Sequence, residues 1–217
     1  MSPTALPVRP AALVVDYGGV LTVPLRSTVD PWLEGERIEP ERYRELMREW
    51  FGSGAAANIG HDLETGRLRP DEFQRMFAER LRRADGSSPE AEGLLARMFA
   101  GFHAEPLMIE VLRTARRHGL KTGLLSNSWG FDYPREDWAE LFDVTVISGE
   151  VGMRKPEPEI YLHTAKLLGL APADCVFVDD LSPNVRAAAE VGMIGVLHRD
   201  VATTVEELEA IFATPLR

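Results

Sequence analysis

The chain is 217 residues long, 45% hydrophobic and 27% charged, and its 24 basic against 34 acidic side chains leave a formal net charge of −10. That length can bury the core of one ordinary domain, or of a core domain carrying a smaller insert; the acidic balance argues against nucleic acid or an anionic membrane as partner, since both select basic surfaces. Cys175 is the only cysteine, so an intrachain disulfide is excluded, and its setting in Cys175-Val176-Phe177-Val178 makes it a packing residue rather than a reactive thiol.

Residues 1–10 carry three prolines, and no run approaches the roughly 20 apolar residues of a membrane span. A cytoplasmic protein with a short loose N-terminus is expected. The first apolar run, Ala12 to Val15, breaks into Asp16-Tyr17-Gly18-Gly19. From 26 to 104 there is no convincing strand: Glu41 to Phe51, Pro70 to Ala84 and Pro89 to Phe102 have helical periodicity, with Phe73, Met76, Phe77 and Leu81 spaced to share one face. The small residues from Gly52 to Ala57 read as a mobile loop. Leu107 to His118 predicts a helix ended by Gly119, with Arg116, Arg117 and His118 in its last turn, where cations oppose the helix dipole.

Beyond it, Thr122 to Leu125, Val144 to Ile147, Val176 to Val178 and Ile194 to Leu197 are continuous apolar runs, as in strands covered on both faces. Helical patterns alternate with them at Pro158 to Leu168, Pro183 to Val191 and Val205 to Phe212. The alternation predicts an α/β fold with an open, doubly wound parallel sheet built from residues 1–25 and 105–217, interrupted by a helical insert at 26–104.

Such sheets bind ligands at the carboxyl ends of their strands. Reading the polar residues that follow each run yields Asp16, then Ser126-Asn127-Ser128-Trp129, then Lys155-Pro156 before a helix, then Asp179-Asp180. A nucleophilic carboxylate, a hydroxyl and amide pair, a lysine and two further carboxylates suit Mg²⁺-assisted phosphoryl transfer through an aspartyl phosphate. A carboxylate attacking phosphorus meets the phosphate's own negative oxygens, so a hard cation and a lysine must neutralise them. In this reading Asp16, Asp180 and the backbone carbonyl of Gly18 hold the metal. Ser126, Asn127 and Gly19 contact the substrate, and Lys155 pairs with the phosphoryl group and with Asp179 or Asp16. Trp129 either walls the substrate entrance or packs. His61, Glu64 and His103, in or beside the insert, either reach the site from above or are surface or hinge residues, and Arg82-Arg83 and Arg116-Arg117-His118 are read as helix faces.

The stretch Leu13-Val14-Val15-Asp16-Tyr17-Gly18-Gly19-Val20-Leu21-Thr22 resembles the first motif of the haloacid dehalogenase-like (HAD) superfamily, Asp-x-Asp-Gly-x-x-Thr. There the first Asp is the nucleophile and the second the general acid/base; here Gly18 replaces the second. Gly149 to Tyr161 is similar to the lysine-bearing motif and Val176 to Leu181 to the acidic one. Leu124 to Trp129, and Leu63 to Leu68 with Phe73, resemble the branch that includes the N-terminal phosphatase domain of soluble epoxide hydrolases.

The resemblance implies a Rossmann-like core with residues 26–104 as a small α-helical cap, and Mg²⁺-dependent hydrolysis of a small organic phosphate. Gly18 leaves three outcomes open: substrates with good leaving groups, an acid/base borrowed from the cap or from solvent, or a binding protein with little turnover. The metal-free 2-haloacid dehalogenases of the superfamily, which also lack the second Asp, form a fourth. Against it, Tyr17 directly follows Asp16, whereas the dehalogenase motif has one intervening residue, and the adjacent Asp179-Asp180 pair suits a cation. Substrate identity and oligomeric state stay open at this level.

Overall fold

A computed structural model describes residues 9–52, 59–130 and 132–217; the predicted loose N-terminus up to residue 8, and residues 53–57 of the small-residue loop, lie outside these. The sheet has five parallel strands, β1 (Ala12–Val15), β2 (Lys121–Ser126), β3 (Val144–Ile147), β4 (Cys175–Asp179) and β5 (Ile194–Leu197), in the order β3-β2-β1-β4-β5. All four β1 residues are buried, because strand alternation sends Leu13 and Val15 into one apolar cluster and Ala12 and Val14 into another on the opposite face. The first cluster is closed by α6 (Pro106–Arg117) and α11 (Val201–Phe212), the second by α9 (Pro158–Leu168) and α10 (Ser182–Glu190). This is the doubly wound α/β sheet expected. Cys175 is fully buried, as its apolar setting predicts.

Strand β1 lies between β2 and β4, so the winding reverses there, and the crevice at its carboxyl end is where such folds bind ligands. The register pairs Val15 with Leu124 on one side and Val178 on the other. Asp16 and Asp179, each one residue further along, therefore emerge together.

Between β1 and α6 the described residues form five helices: α1 (Leu25–Gly35), α2 (Pro40–Phe51), α3 (Ile59–Glu64), α4 (Pro70–Arg80) and α5 (Leu94–Phe99). They share a third core around Leu46, Trp50, Phe73, Phe77, Leu94 and Met98. The chain leaves the sheet and returns to it side by side, with Thr22 bridged to Ala104, Val23 N–H donating to the His103 carbonyl and Glu105 N–H to the Leu21 carbonyl. His103 thus sits at the crossing point, exposed. None of the described helices is long and apolar enough to cross a membrane.

Departures from the sequence reading have local causes. Helix α1, which the sequence reading did not single out, contains Pro31, and Thr28, Val29, Trp32 and Leu33 bury one face and hold it together. Helix α4 stops at Arg80 instead of Ala84, because Arg82 and Arg83 turn extended and pair with the Arg37–Glu39 backbone. Helix α5 is shorter than the predicted 89–102 segment, its start marked by Gly93 at φ +68°. Helix α11 begins four residues early, capped by Asp200, whose carboxylate accepts from Thr203 N–H at 2.8 Å.

Gly195 on β5 shows how tightly α10 packs: a Cβ there would lie 2.7 Å from Val185 Cγ1 and 2.8 Å from the Val185 carbonyl oxygen. Gly195→Ala is expected to cost about 1–3 kcal/mol of stability, read as a lower urea midpoint at unchanged m-value; an unmoved midpoint would contradict this packing.

Candidate active site

Asp16 is fixed at the end of β1 by its backbone N–H on the Val178 carbonyl, and its Oδ1 accepts from Tyr17 N–H at 2.7 Å. The chain then turns sharply: the Tyr17 carbonyl accepts from Val20, Leu21 and Thr22 N–H, and Gly19 N–H donates to Thr22 Oγ1 at 3.0 Å. Gly19 has φ +75°, and a Cβ on it would lie 2.5 Å from Asp180 Oδ2. Glycine therefore makes room for the Asp180 carboxylate against the turn. Gly18 differs: nothing lies within 4 Å of a Cβ built there, and its backbone is not in the left-handed region.

Lys155 is 1% exposed. Its Nζ lies 2.8 Å from Asp16 Oδ1 and 2.7 Å from Asp179 Oδ2. Asp179 is saturated, since Oδ1 also accepts from Leu181 N–H at 2.8 Å and Asn184 Nδ2 reaches both oxygens. Asp180 shares the cavity with Asp16. Among the described residues, Asp16, Asp179 and Asp180 can bring one oxygen each within 4.8 Å of one another. With one ammonium against three carboxylates, the ionised cluster has negative charge to spare, and its hard oxygen donors fit a small divalent cation. Because Asp179 is already fully engaged, Asp16 and Asp180 are the carboxylates able to meet such an ion.

The predicted second-strand residues separate into two tasks. Ser126 Oγ lies 3.0 Å from Tyr133 Oη in the cavity wall. Asn127 also lines the cavity, but its Nδ2 donates to the Lys155 carbonyl at 3.0 Å and its Oδ1 accepts from Lys155 N–H at 2.9 Å. Its amide thus acts on the site by holding the lysine's backbone, a finer role than the substrate contact expected.

Above this floor opens a cavity of about 700 Å³. Its walls are Leu25, Tyr43, Met47, Phe51, Met98 and Phe99 from the helical segment. Trp129 serves both readings left open for it: it lines the cavity and stacks on Phe51 with ring centroids 4.3 Å apart. One feature escaped the sequence reading. Arg154 Nε donates to Glu64 Oε2 at 2.6 Å, with both side chains about nine-tenths buried, and Ser148 Oγ donates to the Glu64 carbonyl while accepting from Ser128 N–H. These bonds tie α3 to the loop that carries Lys155, and no sequence spacing links positions 64, 128 and 148.

The sequence matches the haloacid dehalogenase-like hydrolase family over residues 10–192. The chain belongs to this family. Bifunctional epoxide hydrolase 2 of Sus scrofa is 27% identical over 220 residues, covering 94% of this HAD hydrolase and 39% of that protein; the match to the Rattus norvegicus enzyme covers 21% of its length. The chain therefore spans well under half of these relatives. The sesquiterpene phosphatase of Aspergillus oryzae is 30% identical over 205 residues, covering 92% of this chain and 95% of that one. A HAD family enzyme from Bacteroides thetaiotaomicron, solved in complex with magnesium and inorganic phosphate, shares the fold at a TM-score of 0.63 and 22% identity, over 88% of this chain and 94% of that one.

The electrostatics of the HAD hydrolase site follow from burial. Desolvation pushes the Asp16 carboxyl up to about 7, with Lys155 opposing and Asp179 adding to the rise. Asp180 rises to about 6, by burial first and then by Asp179. For Lys155, burial works against the charge, but Asp16 and Asp179 outweigh it and hold the ammonium above its ordinary range. A carboxyl raised on folding favours the protonated native state, so its contribution to stability is full below about pH 3.8 and is lost as pH rises toward 7. In EDTA, the wild type should therefore lose melting temperature relative to Asp16→Asn between pH 4 and 7. Parallel melting curves across that window would contradict the assignment.

Proposed function

We propose that this HAD hydrolase is a Mg²⁺-dependent phosphatase of organic phosphate monoesters, working through an aspartyl phosphate on Asp16. The observation that carries this reading is Lys155 buried between Asp16 and Asp179, with Asp180 drawn against Gly19 in the same floor. Asp16, Asp180 and the Gly18 carbonyl would hold the cation, which supplies charge neutralisation for the phosphoryl oxygens. Asp16 offers its carboxylate to phosphorus while Lys155 offsets the charge that accumulates between carboxylate and phosphoryl group. Ser126 donates to a phosphoryl oxygen, and Gly19, with no side chain, lets the group approach the turn. Asn127 and Asp179 keep Lys155 in place.

Residues 26–104 act as a cap over this floor. Their apolar and aromatic walls favour an ester whose organic part is apolar, and the Aspergillus oryzae relative named a sesquiterpene phosphatase supports the same direction. The partner is a small molecule, with neither nucleic acid nor membrane involved, and the single buried cysteine fits a cytoplasmic setting.

Purified protein with Mg²⁺ should release phosphate from p-nitrophenyl phosphate, and Asp16→Asn should lower that rate at least about 10²-fold. No release from this ester and from a panel of acyl and alkyl phosphates would refute the phosphatase. Halide release from 2-chloropropionate in EDTA would put the dehalogenase reading in its place. Gly19→Ala should shrink the Mg²⁺-induced rise in melting temperature by displacing Asp180; an undiminished rise would remove Asp180 from the cation's shell.

A further inference from the structure

The missing carboxylate at position 18 leaves the leaving group without a proton, and several ionisable groups that line the cavity have no role so far. Tyr133 lies in the cavity wall, with its Oη 3.0 Å from Ser126 Oγ. Its ring is pinned edge-on between Tyr17, 5.0 Å away between centroids, and Trp138, 5.5 Å away. The phenol is therefore held on the floor residue that meets the phosphoryl group.

In-line displacement sets the leaving oxygen on the far side of phosphorus from Asp16, toward the cavity. Of the other ionisable groups in the walls, Tyr43 packs in the helical core against Trp32 and Phe77. Glu64 is committed to Arg154, and His61 shares its helix with Glu64, on the part of the wall tied to Arg154.

Resting on the phosphatase reading, we propose that Tyr133 is a catalytic residue that donates its phenolic proton to the leaving oxygen, taking over the task of the carboxylate absent at Gly18. In the first half-reaction an Asp16 oxygen bonds to phosphorus and the ester P–O bond breaks. Its electron pair stays on the leaving oxygen, which takes the Tyr133 proton, giving an alcohol and a phenolate. In the second, water attacks phosphorus and the Asp16–phosphorus bond breaks to give dihydrogen phosphate and the free carboxylate, and the phenolate recovers its proton from this product. Burial holds the phenol up to about 12, so it is a weaker acid than a carboxyl group, and the phenolate formed readily recovers a proton from the phosphate product.

The test compares Tyr133→Phe with wild type, in Mg²⁺, on p-nitrophenyl phosphate and on decyl phosphate. Loss of the donor should lower kcat on decyl phosphate about 10²-fold and leave kcat on p-nitrophenyl phosphate, whose leaving group needs no proton, within about twofold. The ratio of the two rates in one preparation does not depend on how much of the variant is folded. Adding Gly18→Asp to Tyr133→Phe, where nothing obstructs a Cβ, should restore the decyl rate. An equal loss on both esters, no loss on either, or the same selective loss from His61→Asn would overturn the role of Tyr133. Should wild type show no Asp16-dependent release from either ester, the phosphatase reading itself falls.

Discussion

Everything at the sheet's carboxyl edge is organised by one buried ammonium. Lys155 sits between Asp16 and Asp179 with almost no solvent contact. A lone lysine there would be costly to desolvate, and so would either carboxylate. Together they persist because parallel register delivers Asp16 and Asp179 side by side, and because Asn127 grips the lysine's backbone at both N–H and carbonyl. Removing one member would leave the others as uncompensated buried charge.

The same arrangement is unbalanced by design of its charges: three carboxylates face one ammonium. Burial first, and Asp179 after it, raise Asp16 and Asp180 toward protonation. A divalent cation would relieve the imbalance and return Asp16 to the ionised form a nucleophile requires. Position 19 belongs to this electrostatic unit although it carries no charge, since any side chain there would occupy the space of the Asp180 carboxylate.

Charge and shape are supplied by different parts of the chain. The sheet contributes the charged floor, while the helices between Leu25 and Phe99 contribute apolar walls, and the Glu64–Arg154 pair with Ser148 joins the two next to Lys155. Gly18 lies where they meet. Because nothing lies within 4 Å of a Cβ there, its glycine is not demanded by packing, in contrast to Gly19 and Gly195. The position bears on the chemistry of the site rather than on the fold.

The sequence by itself determined the strand runs, their parallel βα alternation and which polar residues, Asp16, Ser126 and Asp180 among them, stand at or just past the strand ends. Continuous apolar runs ended by polar residues state both that a strand is covered on two faces and where it stops. Local pattern left α1 unmarked and drew α4 and α5 too long, and for α4 the pairing of Arg83 with Ile38 outweighs periodicity. Only the tertiary structure decided that Asn127 serves Lys155, that Glu64 meets Arg154 across 90 residues of chain, and that Tyr133 reaches Ser126. Those pairings depend on how strands and loops are brought together in space, and a hydrogen bond between distant positions leaves no periodic trace in the order of residues.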